Sequence, residues 1–289
     1  MCTAIWTHPA HGPLACGQCM DCRLAYSREW AIRMTHEQVF HDASSFLTLT
    51  YNPENLPRFG QLVKKDLQDC FKRLRYYLGP FRYVACGEFG EHTRRAHFHV
   101  ACFGFDFAFD RVQWGESIKG DTTYMSSTLN RIWGKGNTLV GSLTFESCAY
   151  IGRYICGAIK GVGASKLPLA CDPDSGELIM PESEFLLCSR KPPIGRQWFD
   201  KYFMDDVFPH GRVITAQGTP APVPTAYKRW LRAMNYPLYL ELSAIIAKNN
   251  IPTHEQVARA RVEDSNERRV ARNVYANARA KAFAREIKE

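Results

Sequence analysis

The sequence predicts an α+β protein built on an antiparallel sheet of ferredoxin-like βαββαβ order. Three observations carry that expectation. Two apolar, strand-like runs at 81–89 and 96–103 flank a polar connection at 90–95, the pattern of a hairpin with a longer loop. One helical segment separates them from an earlier strand, and another separates them from a later one. That order fits a split βαβ plan with helices on one face far better than a doubly wound parallel sheet.

The elements follow in order. After the cysteine-rich stretch Cys16-Gly17-Gln18-Cys19-Met20-Asp21-Cys22, a helix is expected over about 24–40, with Tyr26, Trp30, Met34 and Phe40 at roughly helical spacing. Phe46–Tyr51 is rich in aromatic and β-branched residues and is stopped by Asn52-Pro53, so it reads as a strand. Lys64–Leu78 places Leu67, Phe71, Leu74 and Leu78 on one helical face and ends at Gly79-Pro80. The hairpin follows, then a helix near Thr123–Trp133, a strand at Thr138–Phe145 and a helix at Ser147–Ile159. Prolines crowd the next segment and mark loops, and from about Thr253 the chain is charged and helix-prone. The chain thus divides into a cysteine-cluster segment with its helix (1–45), a core (46–163), a loop-rich extension (164–235) and a helical charged tail (236–289).

A length of 289 residues leaves ample chain for a packed core, and a net charge of +8 favours an anionic partner. Eleven cysteines is an odd number in a chain without a secretion-signal pattern, so reduced thiols are expected rather than a disulfide scaffold. No run approaches the roughly 18 apolar residues of a membrane span, and no membrane partner is expected.

In Arg95-Ala96-His97-Phe98-His99-Val100, the two-residue period of a strand sends His97 and His99 to one face and Phe98 to the other. The preceding strand ends in Gly87-Glu88-Phe89-Gly90-Glu91, and a hairpin brings one of those carboxylates beside the imidazoles. Glu88 is the third ligand chosen, with Glu91 and His92 as competitors. Two imidazoles and a carboxylate suit Mg²⁺ or Mn²⁺ as a Lewis acid on a phosphoryl oxygen; a catalytic zinc uses the same set. The plainer alternative is a pair of histidines covering a polar sheet face.

In 147–160, Ile151, Ile155 and Ile159 form a stripe that should bury, and Tyr150 and Tyr154 form an adjoining stripe at its rim. A phenol is a weak nucleophile at neutral pH and needs a nearby cation; Arg153 and Lys160 are the candidates for phosphate contact. Attack on DNA by such a tyrosine leaves a 5′-phosphotyrosine and a free 3′-hydroxyl, which conserves the bond energy for rejoining. Two core-rim tyrosines without a chemical role are the alternative. At the N-terminus, Cys16, Cys19 and Cys22 lack one ligand for a tetrahedral Zn²⁺ site, which Cys2, or else His8 or His11, would complete. Unligated thiols and an iron–sulfur cluster are the rivals, the latter without the usual fourth cysteine shortly after the run.

Taken in order, 46–51, 87–91, His97-Phe98-His99 and Tyr150-x-x-x-Tyr154 resemble the motifs of HUH endonucleases that initiate rolling-circle replication. The stretches 147–154 and 189–196 are similar to those of replication initiators from small single-stranded DNA bacteriophages, the gokushovirus branch of the microviruses. The resemblance covers roughly 2–205 and implies an HUH endonuclease core at 46–163, His97 and His99 as metal ligands, and Tyr150 and Tyr154 as paired nucleophiles. It further implies a nickase and strand transferase acting on the single-stranded origin of a circular phage genome, in the cytoplasm of a bacterial host. Bound DNA is expected along the sheet, with Lys64, Lys65, Lys72 and Arg94 as contacts. No Walker-type loop is present, so a host helicase and polymerase are the implied partners. The rivals are a noncatalytic zinc-stabilised nucleic-acid-binding protein and a metal-dependent phosphodiesterase that uses water.

Overall fold

A computed structural model describes residues 6–8, 12–17, 19–90, 95–117, 120–159, 170–171, 175–176, 178–179, 184–250 and parts of 267–278. Side chains are described from Leu14 onward outside 154–174 and 179. The chain opens with a short hairpin, β1 (Trp6–His8) and β2 (Gly12–Leu14), followed by α1 (Met20–Gln38), β3 (Ser44–Thr50) and α2 (Lys64–Leu78). It continues through β4 (Arg82–Phe89), β5 (Ala96–Phe103), β6 (Arg111–Glu116), β7 (Thr122–Ser126), α3 (Ser127–Trp133), β8 (Thr138–Gly141) and α4 (Phe145–Ile159). A second small hairpin, β9 (Ala170–Cys171) with β10 (Leu178–Ile179), precedes β11 (Phe185–Cys188) and α5 (Arg196–Tyr202). A third, β12 (Val213–Ile214) with β13 (Pro220–Ala221), leads to α6 (Thr225–Met234) and α7 (Tyr236–Asn249).

Seven strands form one antiparallel sheet in the order β11-β4-β5-β3-β8-β7-β6. Its inner four strands, β4-β5-β3-β8, have the ferredoxin-like order expected from the βαββαβ pattern. The hairpin β6–β7 widens one edge and β11 the other.

Strand alternation divides the side chains between two cores. Leu47, Leu49, Phe98 and Val100 meet Leu67, Phe71 and Leu74 of α2 and Leu129 and Trp133 of α3. Val84, Cys86, Ala101 and Phe103 meet Trp30, Ala31 and Met34 of α1 and Cys148 and Ile151 of α4. The sheet is therefore covered on both sides, which corrects the expectation of helices on one face. The two crossover helices do share a face, but α4 leaves β8 on the opposite one, where α1 already lies. Each fully buried Leu or Phe contributes about 1.5–3 kcal/mol relative to exposure, so both layers are needed.

Local chemistry sets the element ends. Gly79 closes α2 at φ 97°, and Thr144 and Ser147 cap α4 reciprocally, each backbone N–H donating to the other's hydroxyl at 2.9 and 3.2 Å. That cap ends β8 at Gly141, four residues before the expected boundary. The helix expected over 123–133 is β7 followed by α3, because Thr122–Met125 pairs with β6 and Ser126 accepts from the Leu129 N–H as N-cap. The loop-rich extension contains β11, α5 and α6, and side chains of α5 and α6 close a third core with Ile32 of α1. There His36 is buried against Trp198, ring centroids 3.6 Å apart, and pairs with the Tyr227 hydroxyl at 2.8 Å. Burial lowers its pKa to about 3.

The segment 189–196 lies beyond β11, at the end of the sheet away from Glu88: Cys188 pairs with Val84, and the Ser189 N–H donates to the Tyr83 carbonyl. It is held by α1. Arg33 donates to the Ile194 carbonyl at 3.1 Å, and the buried Glu37 carboxylate accepts from the Gly195 N–H at 2.7 Å and from Arg82.

Candidate active site

The site forms where three strands bring polar residues onto the α1/α4 face. In the β4–β5 register Glu88 lies opposite His97 and Cys86 opposite His99; on the other side of β5, Thr48 lies opposite His99. Because alternate residues share a face, Glu88, His97 and His99 converge. Their ligand atoms all lie within 4.8 Å of one another. Glu88 Oε1 is 2.6 Å from His97 Nε2 and 3.3 Å from His99 Nε2. Glu91, His92 and Arg94 lie outside the described residues.

The far nitrogens of both rings are also held. His97 Nδ1 donates to the Arg95 carbonyl at 3.1 Å, since a carbonyl only accepts, and Nε2 is the nitrogen turned to Glu88. His99 Nδ1 pairs with the Thr48 hydroxyl at 3.1 Å, and Phe46 stacks on the His99 ring at 5.1 Å. Glu88 is fully buried. Burial alone would raise its pKa, but the charge of His99 and the hydrogen bonds from His97 and His99 hold it far below the usual carboxylate range. An ionised carboxylate and two oriented imidazoles are a donor set that fits a divalent cation.

The tyrosine helix meets this cluster directly. The Tyr150 hydroxyl donates to Glu88 Oε1 at 2.7 Å, and its ring stands edge-on to His99 with centroids 5.1 Å apart. Arg153 lies over the Tyr150 ring at 5.2 Å. Tyr150 is 2% exposed, deeper than the rim position expected, because Cys148 and Ile151 seat α4 firmly on the sheet. Tyr154 belongs to α4 one turn further on; its side chain, and Lys160, lie outside the described residues.

Lys64, Lys65 and Lys72 belong to α2, on the sheet face opposite this site, and Lys65 and Lys72 pair with Asp69. The composition of the segments gave no sign of Thr48 or the Arg95 carbonyl as supports; only strand register reveals them.

A second donor cluster lies at the start of α1. Cys16, Cys19 and Cys22 bring their sulfurs within 4.8 Å of one another, and the Cys19 N–H donates to Cys16 Sγ at 3.3 Å. Cys19 is the N-cap of α1 and Cys22 lies in its first turn, where the helix dipole favours thiolates. This set suits a soft metal ion. Cys2 and His11, and the side chain of His8, lie outside the described residues.

Comparison with known proteins adds independent information. A family model of the replication-associated protein ORF2 type matches residues 44–158, from β3 to the end of α4. The chain is similar to Replication-associated protein VP4 of Bdellovibrio phage phiMH2K, with 31% identity over 79% of this chain and 70% of that protein. It is 34% identical to Replication-associated protein ORF2 of Spiroplasma virus 4 over 48% of this chain and 46% of that one. Replication-associated protein ORF4 of Chlamydia phage 1 is 28% identical over 57% of this chain, which spans 41% of that relative's length. No solved structure matches. Among the described residues no helix is long and apolar enough to cross a membrane.

Proposed function

The chain belongs to the replication-associated proteins of small phages, and from that premise we propose that it initiates rolling-circle replication as an HUH-type nickase and strand transferase. The observation that carries this reading is the Tyr150 hydroxyl on Glu88 Oε1 at 2.7 Å, a phenol on the same carboxylate that faces His97 and His99. The substrate is single-stranded origin DNA of a circular phage genome. Glu88, His97 and His99 would hold Mg²⁺ or Mn²⁺, which when bound supplies Lewis-acid stabilisation of charge on the phosphate.

The chain's own groups then have distinct tasks. Glu88 accepts the phenolic hydrogen bond and aims the Tyr150 oxygen. Arg153, over the ring, contributes positive charge where the phosphate arrives, a role shared with Lys160. The tyrosine oxygen bonds to phosphorus as the P–O3′ bond breaks, giving a 5′-phosphotyrosine and a free 3′-hydroxyl. The phenol gives up its proton as its oxygen attacks and the departing 3′ oxygen takes one up, so the step balances with no net proton change. Attack of a 3′-hydroxyl on the phosphotyrosine reverses the step and rejoins the strand, and Tyr154 permits a second transfer while Tyr150 is loaded. Cys16, Cys19 and Cys22, with Cys2, would hold a structural Zn²⁺. Host helicase and polymerase complete replication in the cytoplasm of the bacterial host.

The burial of Tyr150 favours one other reading, a noncatalytic, zinc-stabilised nucleic-acid-binding protein in which the phenol is structural. Incubation with origin-containing single-stranded DNA and Mn²⁺ separates the two. An SDS-resistant protein–DNA adduct supports the transferase, binding without cleavage supports the alternative, and cleavage without an adduct points to water as nucleophile.

A further inference from the structure

The close crossing of α1 and α4 falls beside Tyr150. Ser27 and Gly152 are buried where the helices meet, and the Ser27 hydroxyl donates to the Ala149 carbonyl at 2.6 Å. A Cβ on Gly152 would lie 2.8 Å from the Ser27 carbonyl oxygen, 3.0 Å from its Cα and 3.1 Å from its Oγ. The first two contacts are with backbone, so no side-chain rotation relieves them; the helices would have to part. Ala149 and Gly152 bracket Tyr150 within one helical turn, so whatever displaces this turn displaces the hydroxyl on Glu88.

We infer that the Ser27–Gly152 crossing is the positioning device for the nucleophile, with Gly152 and Ser27 as positioning residues that set Tyr150 against the Glu88–His97–His99 cluster. This rests on the proposed tyrosine chemistry. The crossing lies between α1 and α4 whereas Glu88, His97 and His99 stand on β4 and β5, so the crossing governs where the phenol lies rather than whether the donor cluster forms. A shift of about 1 Å in a reacting group can cost about 100-fold in rate. An added methyl at Gly152 demands that the helices part by several tenths of an ångström, a good part of such a shift.

The test compares Gly152→Ala, Ser27→Ala and the control Leu242→Ala, which loosens the distant third core. Gly152→Ala is expected to lower the rate of adduct formation about 10- to 100-fold, with unchanged Mn²⁺ affinity and single-stranded DNA affinity. Ser27→Ala, which keeps the close approach and loses one hydrogen bond, is expected to fall less. Leu242→Ala should lower thermal stability without lowering the rate. A second readout needs no activity: 3-fluorotyrosine at position 150 gives a ¹⁹F resonance that moves on Glu88→Gln in the parent protein and does not respond in the Gly152→Ala background. A parent-like rate and a Glu88-responsive resonance in folded Gly152→Ala would overturn the inference. If Gly152→Ala does not fold, Ser27→Ala decides, an unchanged rate and resonance counting against it. Absence of adduct in the parent protein would instead sink the proposed chemistry, leaving the ¹⁹F comparison to judge the crossing.

Discussion

In both donor clusters the ligand atoms lie within 4.8 Å of one another, but the two use the chain in opposite ways. Cys16, Cys19 and Cys22 come from one turn leading into α1 and need only local backbone geometry to converge. Glu88, His97 and His99 come from paired strands, are oriented by Thr48 on a third and meet a phenol 62 residues away from Glu88. A local cluster can gather as soon as its turn forms, whereas the sheet cluster exists only once long-range register is fixed, after the entropy of closing those loops has been overcome. The difference suggests a division of labour: the first fixes a helix, the second arranges chemistry.

The sharpest way to break this division is to remove the phenols. The double change Tyr150→Phe and Tyr154→Phe should abolish the SDS-resistant adduct while both clusters keep their metals, as read by metal analysis of the purified protein; a persisting adduct would refute the nucleophile assignment. His97→Ala should weaken Mn²⁺ binding more than the ~10–100-fold typical of losing a ligand's hydrogen-bond partner, with no change at the cysteines, and titration calorimetry measures both. Cys19→Ser should have the reverse pattern, losing the thiolate-bound metal and lowering the melting temperature with Mn²⁺ affinity retained. Loss of Mn²⁺ binding in Cys19→Ser would show that the clusters are not separate. Thr48→Val removes only the hydroxyl that orients His99, and a drop of about 10-fold in Mn²⁺ affinity is expected.

The effect that leaves both clusters untouched concerns the far end of α1, distant from the cysteines. Burial holds His36 near pKa 3 in the folded protein against about 6.5 unfolded, so the unfolded chain takes up the proton first as pH falls. The stability contributed by neutral His36 is whole above about pH 6.5 and is lost between there and 3, at about 1.4 kcal/mol per pH unit. Denaturant unfolding of His36→Gln should lack that portion of the slope; an identical pH dependence in both proteins would contradict it.

Much of the architecture is legible in the sequence because its signals are local. The amphipathic face of 64–78, bounded by Gly79, appears as α2 with the expected limits. The apolar runs around 90–95 pair as β4 and β5. Strands β6 and β7 escaped because the alternation of Val112 and Trp114 in Arg111–Glu116 is short and both side chains are exposed, while the helical pattern of 127–133 ran on without a visible break into Thr122–Ser126. At the site, the period of two was enough to put His97 and His99 on one face. Hairpin pairing was enough to bring one carboxylate of 87–91 beside the imidazoles, and in the structure Glu88 lies directly opposite His97, Glu91 being outside the described residues.

The sequence by itself determined the strands and helices of the βαββαβ core and the residue types available for chemistry, since dihedral preference and apolar period act over a few residues. Only the tertiary structure decided which face of the sheet α4 would take, that Tyr150 would be sealed at 2% exposure onto Glu88, and that Gly152 would meet Ser27. Those outcomes depend on packing between segments far apart in the chain, where one methyl group changes what fits and no local pattern records the neighbour.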